Sequence, residues 1–318
     1  MSLRVFITGA TGFVGSHLLK FLDSPEYDIY GTAFPEVPER EPKESKGRVK
    51  IFRLDVRSEK EVFKAVKESK PDWVIHLAAV SNVKHSWERR EETLETNLMG
   101  TFYLLEALRK LRPQARVLFV SSSDVYGLLT PKSELLREEE PLQAVNPYAF
   151  TKMSGEILSR FYAQVEKMEI IIARSFPHTG PGQSPAFVCS DWACQIARIE
   201  KGLASPVIKI GNCQLKRDFT DVRDVSRAYV LLLQRGKSGE VYNVCSGRAV
   251  LLRDILDLLL SFSREKVKVE VDKQKLRRTE IPLLVGDNQK ICQATSWQPQ
   301  ILLKKSLSDL LEYWRNKI

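Results

Sequence analysis

The chain is poor in cysteine and histidine, and neither is arranged to hold a metal. Its five cysteines, Cys189, Cys194, Cys213, Cys245 and Cys292, form an odd set with no C-x-x-C pair. That excludes a disulfide framework or a zinc site as the expectation and leaves buried free thiols. The four histidines are scattered, so no metal is expected. No apolar run approaches the ~20 residues of a membrane span. A strand pattern begins so close to Met1 that a signal peptide has no room, and a cytoplasmic location follows as the expectation. Internal repeats and low-complexity stretches are missing too. The net charge of +9 arises from Lys and Arg interleaved with acids, as at Arg137-Glu138-Glu139-Glu140. Without a concentrated basic stripe, an anionic small molecule is a better expected partner than nucleic acid.

What the chain does have is alternation. Apolar runs at residues 4–8, 28–32, 49–54, 73–77 and 117–121 read as short buried strands. Helix-period patterns at 14–21, 59–68 and 94–111 fall between them, and a helix at 147–165 precedes a strand at 170–174. This predicts a Rossmann-type α/β fold, a doubly wound parallel sheet covered on both faces. Beyond about residue 180 the loops grow richer in Gly and Pro, with helices at 191–201, 251–261 and 306–314. The expected division is a dinucleotide-binding domain at 1–180 and a smaller α/β substrate lobe at 181–318. Residues 212–248, with a strand at 240–244, partly return to the first.

Gly9, Gly12 and Gly15 follow the first strand with G-x-x-G-x-x-G spacing, enclosing Thr11, Phe13 and Val14. Glycines at such a turn let backbone approach phosphate oxygens, whose charge is stabilised by N–H groups at the helix start. A dinucleotide cofactor is the expected ligand. The second strand ends Tyr30-Gly31-Thr32-Ala33-Phe34, without the acid that would accept from the 2′-hydroxyl of NAD. NADP is therefore favoured, with NAD as the alternative. Asp55, followed by Val56, either reads an adenine amino group or caps a turn. Leu77, Ala78 and Ala79 supply small groups beside a ribose or pyrophosphate, and His76 before them reads as a packed histidine.

Tyr148 and Lys152 stand four residues apart on one helical face. Tyrosine titrates near 10 in isolation, too high for easy proton exchange at neutrality. A neighbouring ammonium and a positive nicotinamide ring are expected to lower that value. Tyr148 would then give a proton to a ketone oxygen as hydride reaches its carbon, Lys152 would hold the nicotinamide ribose, and Ser122 would bond the same oxygen.

With these parts the chain resembles the extended short-chain dehydrogenase/reductase family over essentially its whole length. The residues that carry the resemblance are 9–15, Asn97-Leu98-Met99-Gly100-Thr101, 121–127, Asn146-Pro147-Tyr148 with Lys152, and Gly180-Pro181-Gly182-Gln183. Its second half is most similar to GDP-6-deoxy-4-ketohexose reductases, with GDP-mannose dehydratases as close relatives. That narrower match rests on Phe187-Val188, on 217–224, on 241–247, and on Leu276-Arg277-Arg278-Thr279-Glu280 with Gly286-Asp287. The resemblance implies reduction of the 4-keto group of a GDP-4-keto-6-deoxyhexose to a GDP-deoxyhexose such as GDP-D-rhamnose. A GDP-mannose 4,6-dehydratase, or another sugar-nucleotide epimerase or dehydratase, is the alternative.

On the same resemblance Ser122, Tyr148 and Lys152 form the catalytic set. Asp124 falls where dehydratases carry a glutamate; it is one methylene shorter, which favours the reductase, and it could instead cap a turn. Asn97 and Val56 join the cofactor contacts, Ser81 and His178 the substrate contacts. Arg217 and Arg277 would meet diphosphate or ribose and Glu280 the ribose hydroxyls. Phe187 and Val188 would wall the base and Lys209 a guanine oxygen. Two positions depart from the pattern: Pro177 replaces an Asn and Arg278 a Pro. Relatives pair through a four-helix interface, so a homodimer or a tetramer is expected, with 94–111 and 147–165 as the pairing helices. A non-catalytic dinucleotide sensor on the same fold is a different class, disfavoured because both Tyr148 and Lys152 are kept.

Overall fold

Strands buried on both faces need apolar side chains on both, because successive residues point to opposite sides. The first strand, β1 (Leu3–Thr8), shows this directly: Val5 and Ile7 enter one core cluster while Phe6 enters another. A computed structural model describes residues 2–35, 48–129, 135–276 and 280–318. After β1 come α1 (Phe13–Phe21), β2 (Tyr27–Ala33), β3 (Arg48–Arg53), α2 (Glu59–Ser69), β4 (Trp73–His76), α3 (Val83–Glu88) and α4 (Arg90–Leu94). A π turn at Glu95–Met99 leads into α5 (Gly100–Leu111), then β5 (Arg116–Ser122), a 3₁₀ turn at Ser123–Tyr126, α6 (Pro147–Gln164) and β6 (Ile170–Ser175). The remainder comprises β7 (His178–Thr179), α7 (Val188–Glu200), β8 (Val207–Ile210), β9 (Lys216–Asp218), β10 (Thr220–Asp221) and α8 (Val222–Arg235). Last come β11 (Val241–Val244), β12 (Ala249–Leu251), α9 (Leu252–Ser261), β13 (Lys268–Val271), β14 (Leu283–Leu284), α10 (Gln289–Thr295) and α11 (Leu303–Lys317).

The central sheet has seven strands in the order β11-β6-β5-β4-β1-β2-β3, all paired in parallel. This is the doubly wound α/β sheet expected from the alternation. One face is covered by α1 and α8, with Leu18, Leu19, Val225, Tyr229 and Leu232 meeting Ile7, Leu118 and Ile171. The other is covered by α2 and α5, with Val62, Leu104 and Leu108 meeting Phe6, Phe119 and Ile172. The strand expected at 240–244 pairs with β6 at the sheet edge, and Ile291 and Trp297 also join the α1/α8 cluster. A further cluster gathers α7, α9 and α11 around Trp192, Leu256, Leu310 and Trp314.

One expectation needs correction. The helix expected at 94–111 is not a single α-helix: it is interrupted by the π turn, whose widened backbone carries the buried Asn97. Such a turn spends one extra residue per turn, which a hydrophobic period cannot announce. Among the described residues no helix is long and apolar enough to cross a membrane, and no cluster of three or more His, Cys, Asp or Glu side chains could hold a metal ion.

Candidate active site

The carboxyl ends of the parallel strands, where ligands of such sheets bind, carry the residues singled out by the sequence. At the end of β1 the chain turns through Gly9 at φ +69, a conformation L side chains resist. The turn is held by Thr32, whose buried hydroxyl accepts from the Gly9 N–H at 3.0 Å. Gly12 caps α1 without any side-chain bond, so the N–H groups of the first turn face outward as an anion seat. A Cβ on Gly15 would stand 2.4 Å from the Gly9 carbonyl oxygen and 2.5 Å from that of Ala10. The backbone is thus packed as closely as a pyrophosphate seat requires. These residues fit a dinucleotide.

Beside the turn, Thr8 acts as a hub. Its hydroxyl accepts from the N–H groups of Leu77 and Ala78, both at 3.1 Å, and meets Nδ1 of His76 at 2.7 Å. On the far side of the ring Nε2 lies 3.0 Å from Thr101, whose own hydroxyl donates to the Asn97 carbonyl. Thr8 therefore donates to Nδ1, and Nε2–H donates to Thr101. Burial, reinforced by the Lys152 charge, lowers the His76 pKa to about 3. It is a structural histidine, as the sequence suggested. The Asn97 side chain clamps Val80 through both its N–H and C=O and donates to Thr151 at 2.9 Å.

At the end of β2 stand Ala33 and Phe34. Asp55 accepts from the Arg57 guanidinium, with Nε shared between both carboxylate oxygens at 3.1 and 2.8 Å and Nη2 at 2.6 Å, and from the Arg57 N–H. Burial opposes the charged carboxylate, but the Arg57 bonds outweigh it and hold its pKa low. The same guanidinium lies over the Phe34 ring, 5.9 Å from its centroid. Val56, buried, packs against the start of α5 at Gly100.

Helix α6 begins one residue before Tyr148 for local reasons. Asn146 accepts from the Ala149 N–H at 2.8 Å, and Pro147 takes the first helical position, where its missing N–H costs nothing. Tyr148 then meets the end of β5, with Ser122 hydrogen-bonded to its phenol and Asp124 nearby. Ser122 also accepts from the Asp124 N–H at 3.2 Å. Lys152 is buried, donating to the Val120 carbonyl at 2.8 Å. Burial lowers its pKa to about 8, and Glu156 opposes that fall.

A second correction follows. From the sequence, the Lys152 ammonium and a positive nicotinamide ring are together expected to make the phenol more acidic, and the protein's own groups do not supply the first part. Instead burial first, then Asp124, raise the Tyr148 pKa above its usual value, with only the Ser122 bond opposing them. Sharing a helix face does not join two groups when one ammonium is turned onto a strand carbonyl.

Ser81 and Phe187, 106 positions apart in sequence, line one cavity of about 470 Å³ with Asn82, His85 and Ser184. Phe187 is the residue before α7, and Val188 opens that helix. The remaining substrate candidates lie elsewhere. His178 stacks on Phe13 of the glycine turn at 5.9 Å and bonds the Phe176 carbonyl. Lys209 is exposed on β8, its N–H held by Gln195. Arg217, on β9, donates to the Lys216 carbonyl, and Glu280 accepts from Asn212. Arg277 and Arg278 lie outside the described residues. The sequence reading missed a latch in which His17 of α1 bonds the Pro181 carbonyl at 2.8 Å, and a buried network behind α6 centred on Glu156 and Arg174.

Residues 6–310 match the model of the GDP-mannose 4,6 dehydratase family. The chain belongs to that family. A GDP-6-deoxy-D-mannose reductase of Pseudomonas aeruginosa is 34% identical over 334 residues, covering 100% of this chain and 99% of that protein. A GDP-mannose 4,6 dehydratase of Drosophila melanogaster is 28% identical, covering 96% of this chain and 84% of that one. Among solved structures, RMD from Pseudomonas aeruginosa complexed with NADPH superposes with a TM-score of 0.87 at 33% identity, covering 100% of both chains. The GDP-mannose 4,6 dehydratase family and the extended short-chain dehydrogenase/reductase fold are thus the setting for the geometry above.

Proposed function

We propose that this chain is an NADPH-dependent reductase that converts the 4-keto group of a GDP-4-keto-6-deoxyhexose to a hydroxyl, giving a GDP-deoxyhexose such as GDP-D-rhamnose. The observation that carries this reading is the buried Tyr148 phenol near the start of α6, hydrogen-bonded to Ser122 at the end of β5. The reductase named in the comparison, alike over its whole length, supports the substrate class. In this reading residues 1–180, with 212–248 partly returning, serve the cofactor, and 181–318 serve the sugar nucleotide. Ser81 and Phe187 would line the sugar-nucleotide path, with Val188, Lys209, Arg217, Arg277 and Glu280 toward the nucleotide.

When bound, the reduced nicotinamide supplies the hydride. Thr11, Gly12, Phe13 and Val14 would hold its diphosphate, and Leu77, Ala78 and Ala79 its riboses, while the buried Asn97, expected among the cofactor contacts, instead fixes Val80 beside them. A phenol whose pKa is raised keeps its proton through the neutral range, which is the form a donor needs. As charge builds on the sugar oxygen, that oxygen becomes a stronger base than phenolate, and the Tyr148 proton passes to it. Ser122, already bonded to the phenol, can donate to the same oxygen, and the Lys152 ammonium, charged below about pH 8, would hold the nicotinamide ribose. NADP over NAD is supported by the end of β2, which lacks an acid and lies under the Arg57 guanidinium. Asp124 has a shorter reach than a glutamate toward a sugar C–H, which favours reduction over dehydration.

We also place the protein in the cytoplasm, in keeping with five free cysteines, and as a homodimer through α4, α5 and α6. The test is substrate-dependent oxidation of NADPH. Consumption on adding the 4-keto sugar nucleotide is expected; turnover of GDP-mannose to a 4-keto product with no added cofactor would replace this reading by the dehydratase. Tyr148→Phe should lower turnover at least ~100-fold while leaving NADPH affinity within about twofold.

A further inference from the structure

The network behind α6 is larger than packing needs. Glu156 lies one turn beyond Lys152 on α6 and is 1% exposed at its side chain; Arg174, from β6, is 2% exposed. Arg174 grips the carboxylate with Nε at 3.0 Å and Nη2 at 2.8 Å. The same carboxylate accepts from Ser121 at 2.5 Å, and Ser121 is the neighbour of Ser122. Arg174 goes on to donate to the Tyr126 hydroxyl at 3.0 Å, at the end of the 3₁₀ turn that carries Asp124. A buried ion pair by itself is weak evidence for stability, because desolvation takes back most of the Coulomb gain. Two apolar residues would have closed this core as well.

Resting on the reading of Tyr148 and Lys152 given above, we propose that Glu156, locked by Arg174, is a positioning residue for the reaction. It ties α6 and the Ser122 end of β5 into one unit and keeps an anion beside Lys152, so that the ammonium stays charged during turnover. The other groups around Lys152 cannot take that part. His76 faces it from β4 but is neutral. Tyr148, one turn earlier on α6, holds its proton, and Asp124 acts on that phenol rather than on the ammonium. Arg174 is cationic and spent on Glu156. Glu156 is the charge that bears on Lys152.

The test is the pH dependence of kcat for NADPH oxidation with the 4-keto sugar nucleotide. In Glu156→Gln the alkaline limb should move to lower pH by at least about half a unit, and Glu156→Asp, which restores the anion, should bring it back. Should the single variant not fold, Glu156→Gln/Arg174→Gln leaves no unpaired Arg174 guanidinium in the core and should move the limb the same way. Limbs that superimpose on the wild type in the variant that folds would overturn the proposal and leave a structural pair. Tyr148→Phe in the same assay separates the two readings. If it still turns over, the proton-donor assignment falls. If it is inactive while the Glu156 limb stays in place, only the positioning role falls.

Discussion

Lys152 is the residue whose chemistry and stability pull in opposite directions. It is buried, with one bond to a strand carbonyl, and its pKa falls from 10.5 to about 8. A fall of that size corresponds to a desolvation cost on the order of 3 kcal/mol, of which the Val120 bond returns about 1. At pH 7 the lysine is charged in the folded and unfolded chain alike, so the cost is present in full. Between about 8 and 10.5 the folded chain sheds its proton before the unfolded one does, and wild-type stability rises across that window. Lys152→Met should therefore be more stable than wild type at pH 7 by about 2 kcal/mol, seen as a higher melting temperature, and lose most of that advantage by about pH 10. Its turnover should be largely abolished. Melting curves at the two pH values check the first claim, and an equal or lower melting temperature at pH 7 would refute it.

At the scale of elements, the glycine turn is legible in sequence because its constraint is local. Gly9 needs a positive φ, and Gly15 needs the absence of a side chain against the carbonyls of residues 9 and 10. A Cβ on Gly12 would meet only the Gly9 oxygen, at 3.1 Å. Gly15→Ala should thus destabilise the fold by about 2 kcal/mol or more and weaken NADPH binding at least ~10-fold, with Gly12→Ala milder in stability; fluorescence titration with NADPH and thermal melts give the order. The start of α6 was legible for the same reason, since Asn146 and Pro147 act within four residues. What stayed hidden was set by tertiary contact. The π turn depends on where Asn97 must reach, not on a hydrophobic period. The direction of the Tyr148 shift depends on where the Lys152 ammonium points. The Glu156–Arg174 pair joins a helix to a strand 18 residues on, and the sequence offered only the i+4 spacing from Lys152 as a hint. His178 is expected at the substrate, and its ring stacks on Phe13, a contact between β7 and the start of α1 that sequence spacing cannot foresee.

At the scale of the whole molecule, α6 has two faces with different tasks. Its inner face carries Tyr148, Lys152 and Glu156. Its outer face leaves Phe150, Ile157, Phe161 and Val165 exposed, with Ile157 at 62% and Val165 at 60%. The spacing of these positions places them along one stripe of the helix. The neighbouring segment adds Leu94, Met99 and Phe102, and α6 packs against α4, the π turn and α5, so the two stripes adjoin. An apolar surface of this extent is unusual for a monomer, and a two-fold pairing of α5 and α6 with their copies would bury it as a four-helix interface. Light scattering should find a dimer at micromolar concentration. Ile157→Glu/Phe161→Glu should shift it to a monomer, because each carboxylate would have to be buried opposite its own copy. Since the same helix positions Tyr148, the monomeric variant should also lose several-fold in kcat with NADPH affinity less affected. A variant that stayed dimeric would move the interface to another face, and a monomeric one with full kcat would show that α6 holds its register through Glu156 and Arg174 alone.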